Sequence, residues 1–206
     1  MKALVTGAAG FVGSHVSEAL LAQGADVVGV DCFTDYYSRD LKERNLAGLR
    51  THPKFTFHEA ALQHADVGAL MDGVSQVYHL AAQAGVRKSW GADFRTYIDH
   101  NIDATQRLLE AAKATPWKRF VYASSSSIYG DAERLPTPED VAPAPFSPYG
   151  ATKLAAEHLC RLYHGNLGLE TVGLRYFSVY GPRQRPDMAF TRFCDAAVRG
   201  EPPPTL

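Results

Sequence analysis

An α/β chain wound around a parallel sheet, with helices on both faces, is what this sequence predicts, and three observations carry the prediction. Short apolar runs such as Ala3-Leu4-Val5 read as strands buried on both faces. These runs alternate along the chain with segments whose apolar residues recur at helical spacing, which implies right-handed crossovers between parallel neighbours. The junction of the first strand and first helix is glycine-rich, with Gly7, Gly10 and Gly13 leading into Val12, Val16, Ala19 and Leu20.

The first strand begins within a few residues of Met1, so no cleavable signal peptide is expected. The first helix stops at Gly24, and residues 26–30 supply a second buried strand. After Asp31 a Cys-Phe-Thr-Asp-Tyr-Tyr loop leads to a polar helix over 39–49. Residues 55–57 suggest a third strand, 66–71 a short helix and 74–80 a fourth strand. That strand runs into Ala-Ala-Gln-Ala-Gly-Val-Arg, small residues that let a ligand approach the backbone at a strand's carboxyl end. Phe94, Tyr97, Ile98, Ile102, Leu108, Leu109 and Ala112 mark one long helix over 93–114. A fifth strand over 118–123 ends in a run of four serines, Ser124 to Ser127. Residues 131–148 are rich in proline and charge and read as an irregular loop. A helix over 149–166, a sixth strand over 170–174 and a helix over 187–199 complete the chain, and no internal repeat is present.

Bulk properties narrow the function classes. With 206 residues the chain can bury one sizeable core and begin a second unit. A net charge of −1 gives no reason to expect a nucleic-acid or anionic-membrane partner. Apolar runs are too short to span a bilayer. Cys32, Cys160 and Cys194 are odd in number and widely spaced, which fits a reduced, cytoplasmic setting better than a disulfide framework. The eight histidines show no paired ligand spacing, so no metal is expected.

The glycine turn carries the first chemical signal. Gly7 allows the tight turn, Gly10 lets the backbone approach a pyrophosphate, and Gly13 lets the helix pack closely on the strand. Free N–H groups and the dipole at the helix start attract phosphates. Asp31, about 20 residues beyond the turn, is placed to accept hydrogen bonds from a ribose diol. Its charge repels a 2′-phosphate, which favours NAD over NADP, and Arg39 is the nearest arginine that follows it. A glycine-rich turn in an unrelated α/β protein is the competing reading; the strand before, the helix after and Asp31 argue against it.

The second signal is Tyr149-Gly-Ala-Thr-Lys153, whose i, i+4 spacing puts a phenol and an ammonium on one helix face. A phenol with an ordinary pKa near 10 is a poor base, and nearby positive charge makes it a better one. Ser125, at the end of the preceding strand, can donate a hydrogen bond to the substrate oxygen that loses its proton. A surface tyrosine and lysine sharing a helix is the plain alternative.

Six segments then occur in one family's order: Gly-Ala-Ala-Gly-Phe-Val-Gly-Ser-His, Val-Asp-Cys-Phe-Thr-Asp-Tyr-Tyr, His-Leu-Ala-Ala-Gln-Ala-Gly-Val-Arg, Ser-Ser-Ser-Ser-Ile-Tyr-Gly, Pro-Tyr-Gly-Ala-Thr-Lys and Leu-Arg-Tyr-Phe-Ser-Val-Tyr-Gly-Pro. The chain resembles the extended short-chain dehydrogenase/reductases, the NAD-dependent nucleotide-sugar epimerases and dehydratases, and among these the UDP-glucuronate 4-epimerases. The resemblance implies a Rossmann-type NAD domain over 1–180 and the start of a substrate lobe over 181–206. It implies that Ser125, Tyr149 and Lys153 are catalytic. NAD contacts are expected at the three glycines, Phe11, Val12, Asp31 and Cys32. Further cofactor contacts are expected at Leu62, Ala81, Ala82, Tyr149, Lys153 and Tyr176. The sugar nucleotide is expected to meet Arg87, Ser125, Ser126, Ser127, Tyr149, Ser178 and Arg185.

The expected reaction is C4 epimerisation of UDP-glucuronate to UDP-galacturonate. Related dehydratases and decarboxylases carry carboxylates after the catalytic hydroxyl, where this chain has Ser126 and Ser127. UDP-glucose 4-epimerisation, dehydration or decarboxylation, and a catalytically silent NAD-binding role are the alternatives. The family also implies a homodimer through the 93–114 and 149–166 helices, with Leu108, Leu109, Leu159 and Leu162 as candidate interface surface. Three features depart from the family. Cys32 replaces a frequent Asn, and Ala60-Ala61 replaces a Gly-Asp pair, so its adenine contact is expected to be missing or replaced. The chain is also shorter than its relatives and is expected to stop inside the substrate lobe near 201–206.

Overall fold

The computed structural model describes residues 1–113, 119–132 and 134–205. Six strands form one sheet: β1 (Lys2–Thr6), β2 (Asp26–Asp31), β3 (Phe55–Glu59), β4 (Gln76–His79), β5 (Arg119–Ser125) and β6 (Thr171–Tyr176). Their order is β3-β2-β1-β4-β5-β6 and all five pairings are parallel. The order reverses between β1 and β4, and the crevice opened there at the strands' carboxyl ends is where such sheets bind ligands.

Helices α1 (Phe11–Ala22) and α2 (Arg39–Arg50) pack on one face, burying Val5, Val27, Leu21, Leu46 and Leu49. The other face carries the short α3 (Val67–Leu70), α4 (Phe94–Tyr97), α5 (Ala104–Ala112) and the long α6 (Pro148–Leu167). Its core holds Leu4, Val77, Phe120, Leu108 and Leu109. Because both faces are covered, Ala3, Leu4 and Val5 of β1 have no exposed surface, which is why their run reads as continuously apolar. Helix α6 is marked at both ends: Ser147 accepts from Gly150 N at 3.1 Å, Pro148 occupies the first turn, and Gly168 closes the helix at φ +69°.

Four expectations are corrected by the folded structure. The long helix over 93–114 is one run of changing pitch: a 3₁₀ turn at Gly91–Asp93, α4, a π segment at Ile98–Asp103, then α5. The wide turn brings Asn101 inward, where its side chain accepts from Gln83 N at 2.8 Å and donates to Gln83 O and Thr152 Oγ1. Leu108 and Leu109 are fully buried core and supply no interface surface, whereas Leu162 is 56% exposed. The strands over 118–123 and 170–174 extend to Ser125 and Tyr176, which pair with each other. The last helix, α7 (Ala189–Arg199), starts two residues later than expected because residues 185–188 form a turn closed by Met188 N to Arg185 O at 3.2 Å, with Met188 extended at ψ 148°. Ala114, Lys118 and Leu206, which fall in expected segments, lie outside the described residues. Among the described residues no helix is long and apolar enough to cross a membrane.

Candidate active site

A cleft of about 1100 Å³ opens over the carboxyl ends of the strands, and every residue expected to bind cofactor or substrate lines it. Its first half is built by β1, β2 and α1. Gly7 has φ +71°, and a Cβ there would lie 2.9 Å from Ala81 N, so the ends of β1 and β4 abut without room for a side chain. A Cβ on Gly13 would overlap the Gly7 carbonyl, which is how closely α1 packs on the turn. No side chain caps the start of α1, leaving its first N–H groups to face the cleft beside Phe11 and Val12.

Asp31 is fixed by two backbone donors, Phe33 N at 2.9 Å and Ala9 N at 3.2 Å. A carboxylate has about four acceptor sites, so capacity for a ribose diol remains. Cys32 lies beside it, its thiol pushed up by burial and by Asp31. Arg39 is committed elsewhere: it binds Glu59 at 2.6 and 2.8 Å, binds Glu43, and stacks 4.1 Å over Phe33. At the Ala60-Ala61 pair, where an adenine contact was expected to be missing or replaced, Ala60, Leu62 and Gln63 form the wall. The glycine cradle, uncapped helix and anchored Asp31 together fit a dinucleotide.

The acid/base group stands at the floor. Tyr149 lies in the first turn of α6 and Ser125 ends β5, and both side chains line the cleft. Ser125 Oγ also accepts from Ser127 N at 3.1 Å, which orients the hydroxyl. Lys153 is buried and donates to Ala123 O at 2.9 Å; burial lowers it to about 8. Burial pushes Tyr149 up, while the Ser125 hydrogen bond and the Arg185 charge act in the opposite direction. Arg185 is thus a further cation facing the phenol, one that the sequence reading assigned to the substrate and not to Tyr149.

The second half of the cleft holds Arg87, Ser126, Ser127, Ser178 and Tyr176. Arg185 is gripped by Asp187 at 3.0 and 3.1 Å and lies 5.0 Å over the Tyr36 ring, with Lys88 also 5.1 Å from that ring. Tyr36, Tyr37, Lys42 and Lys88 line the cleft and were not singled out by the sequence. Lys42 is 4% exposed, donates to Thr34 O at 3.0 Å and lies 4.9 Å from the Tyr37 ring. Its place in a polar helix gave no sign of this. Among the described residues no group of three or more His, Cys, Asp or Glu side chains could hold a metal ion.

The chain matches the model of the NAD dependent epimerase/dehydratase family over residues 3–206. It belongs to that family. The epimerase/dehydratase relatives include an uncharacterized UDP-glucose epimerase of Bacillus subtilis, 47% identical over 203 residues, which are 98% of this chain and 64% of that protein. A probable UDP-glucuronate 4-epimerase of Rhizobium meliloti is 41% identical over 206 residues, 98% of this chain and 60% of that one. The crystal structure of UDP-glucuronic acid 4-epimerase from Bacillus cereus, in complex with UDP-glucuronic acid and NAD, superposes with a TM-score of 0.94 at 47% identity. That likeness covers 98% of this chain and 65% of the Bacillus cereus chain. This chain thus spans less than two thirds of the length of these family members.

Proposed function

We propose that the protein is an NAD-dependent nucleotide-sugar 4-epimerase interconverting UDP-glucuronate and UDP-galacturonate. The observation that carries this is that Tyr149, Lys153 and Ser125 share one cleft with the glycine turn and Asp31, and that the residues after Ser125, Ser126 and Ser127, are hydroxyls with no carboxylate among them. The chemistry the nicotinamide supplies is reversible hydride transfer at C4 of the sugar. The three glycines, Phe11, Val12, Asp31 and Cys32 would hold the cofactor together with Leu62, Ala81, Ala82 and Tyr176. Engagement of Arg39 by two glutamates supports NAD over NADP.

Tyr149 removes the proton from the C4 hydroxyl and returns it after the sugar has turned, while Ser125 holds the oxygen. The buried Lys153, close to half-charged near pH 8, supports the phenolate. Ser126, Ser127 and Ser178 cradle the substrate carboxylate beside Arg87 and Arg185. A 4-ketone beside a C5 carboxylate loses CO2 when the carboxylate bond aligns with the carbonyl. Hydrogen bonds of about 1–3 kcal/mol each to the charged group hold it out of that alignment. Serines are not carboxylate acids or bases near pH 7, which argues against dehydration.

In this reading residues 1–180 are the cofactor domain and 181–206 open a substrate lobe. The working form is a homodimer in the cytoplasm, supported by three unpaired cysteines and by the exposed Leu162 on α6. Incubation with UDP-glucuronate and separately UDP-glucose tests the assignment. UDP-galacturonate without CO2 is expected; a pentose product, or preference for UDP-glucose, overturns it.

A further inference from the structure

Behind the serine strand end stands an ion pair that the proposed chemistry does not use. Glu157 Oε1 accepts from Arg175 Nε at 3.0 Å and from Ser124 Oγ at 2.5 Å, and its Oε2 accepts from Arg175 Nη2 at 3.0 Å. Arg175 Nη1 donates to Tyr129 OH at 3.0 Å and to Glu139 O at 2.9 Å, and the guanidinium lies 5.0 Å from the Tyr129 ring. The two side chains are 13% and 25% exposed. Each end of the network sits one step from the acid/base group. Ser124 precedes Ser125, Glu157 is one helical turn beyond Lys153, and Arg175, the register partner of Ser124, precedes Tyr176. Glu139 belongs to the loop that returns to Ser147, the cap of the Tyr149 helix.

A buried ion pair adds little net stability, because desolvation offsets most of the attraction. It does fix geometry, and geometry is what this site needs: Ser125 comes from β5 and Tyr149 from α6. Two side-chain ties hold that strand end to that helix, Lys153 to Ala123 O and Ser124 to Glu157. We propose that Glu157 and Arg175 are positioning residues that set the distance between the Ser125 hydroxyl and the Tyr149 phenol. This rests on the assignment of Tyr149 as the acid/base group.

Glu157→Gln and Arg175→Lys test it in the protein as it stands. The amide keeps the shape but not the charge that holds fork and serine together, and a lysine cannot make the bidentate contact. With UDP-glucuronate, turnover per NAD-loaded site is expected to fall about 10–100-fold, with KM within about two-fold, as for a small misplacement of reacting groups. Tyr149 titration, read as phenolate absorbance against Tyr149→Phe, needs neither substrate nor cofactor. Moving the Ser125 hydroxyl away from the phenol shifts it to higher pH, since that hydroxyl favours the phenolate. Removal of the Glu157 charge would by itself shift it lower, so the direction identifies the cause. Ser124→Ala, which removes only the strand tie, moves both readouts the same way by less and serves if Arg175→Lys does not fold. An unmoved Tyr149 titration in the folded variants overturns the proposal, as does turnover per loaded site within about two-fold while only thermal stability falls. If the wild type fails to turn over UDP-glucuronate, the substrate assignment falls and the titration alone decides this one.

Discussion

Tyr149 has its proton affinity set from several directions: burial raises it, and the Ser125 hydroxyl and Arg185 charge favour the phenolate. Tyr149→Phe keeps the ring and removes only the phenol hydroxyl, so turnover should fall by about 10²–10⁴ while binding of NAD and sugar nucleotide, read by calorimetry, survives. Asp31→Ala removes a carboxylate held by Ala9 N and Phe33 N. Hydrogen bonds to charged groups contribute about 1.5–3 kcal/mol, so NAD affinity should drop about 10–100-fold and the margin over NADP should shrink. Binding of both cofactors to wild type and variant checks this; an unchanged ratio would sink it. These residues were legible because short-range spacing exposes them: glycines at three-residue intervals, an acid at a strand end, a phenol and ammonium one turn apart. Tyr36 was not, since its partners Lys88 and Arg185 lie far away in the chain, and Lys42 was not, since it folds back onto the backbone of a loop whose shape no periodicity reports.

The most consequential segment is the wide turn Ile98–Asp103, which a run of apolar residues at helical spacing concealed. It closes a buried polar chain: His79 Nδ1 lies 2.8 Å from Thr6 Oγ1, its Nε2 lies 3.0 Å from Thr105 Oγ1, and Thr105 donates to Asn101 O. The chain joins β1, β4 and the start of α5. Burial, and secondarily Lys153, lower His79 from 6.5 to about 3. The folded state therefore binds fewer protons than the unfolded one between these values. The stabilisation is fully present above pH 6.5 and is lost as pH falls toward 3. Denaturant unfolding of the wild type should weaken between pH 6 and pH 4 by up to about 1.4 kcal/mol per pH unit from this group. His79→Asn should lack that component of the slope; equal slopes would exclude His79 as its source.

At the level of the whole molecule, the sheet order places the glycine turn, the serine strand end and the Tyr149 helix around one crevice. The outer surface of α5 and α6 offers Leu162, with Tyr163 hydrogen-bonded to Glu110 across the two helices. We expect a dimeric mass by light scattering. Leu162→Glu should shift the protein toward monomer, since a carboxylate in an apolar contact is costly, and should leave NAD affinity unaltered. A monomeric wild type would end the dimer assignment.

The sequence by itself determined the strand and helix alternation, the parallel sheet and the residue types of the cleft, because each rests on periodicities and spacings within a few residues. It also named the residues that the winding of the sheet then brings to one cleft. Tertiary structure decided what depends on residues far apart in the chain. Leu108 and Leu109 went to the core because α5 turns that face to the sheet. Arg185, from the segment after β6, became the cation across from Tyr149. Glu157 and Arg175 met because parallel pairing sets Arg175 beside Ser124 under α6. Hydrophobic period reports which face of an element is apolar; which partner covers that face, and which charges meet over the crevice, follows from how the sheet is wound.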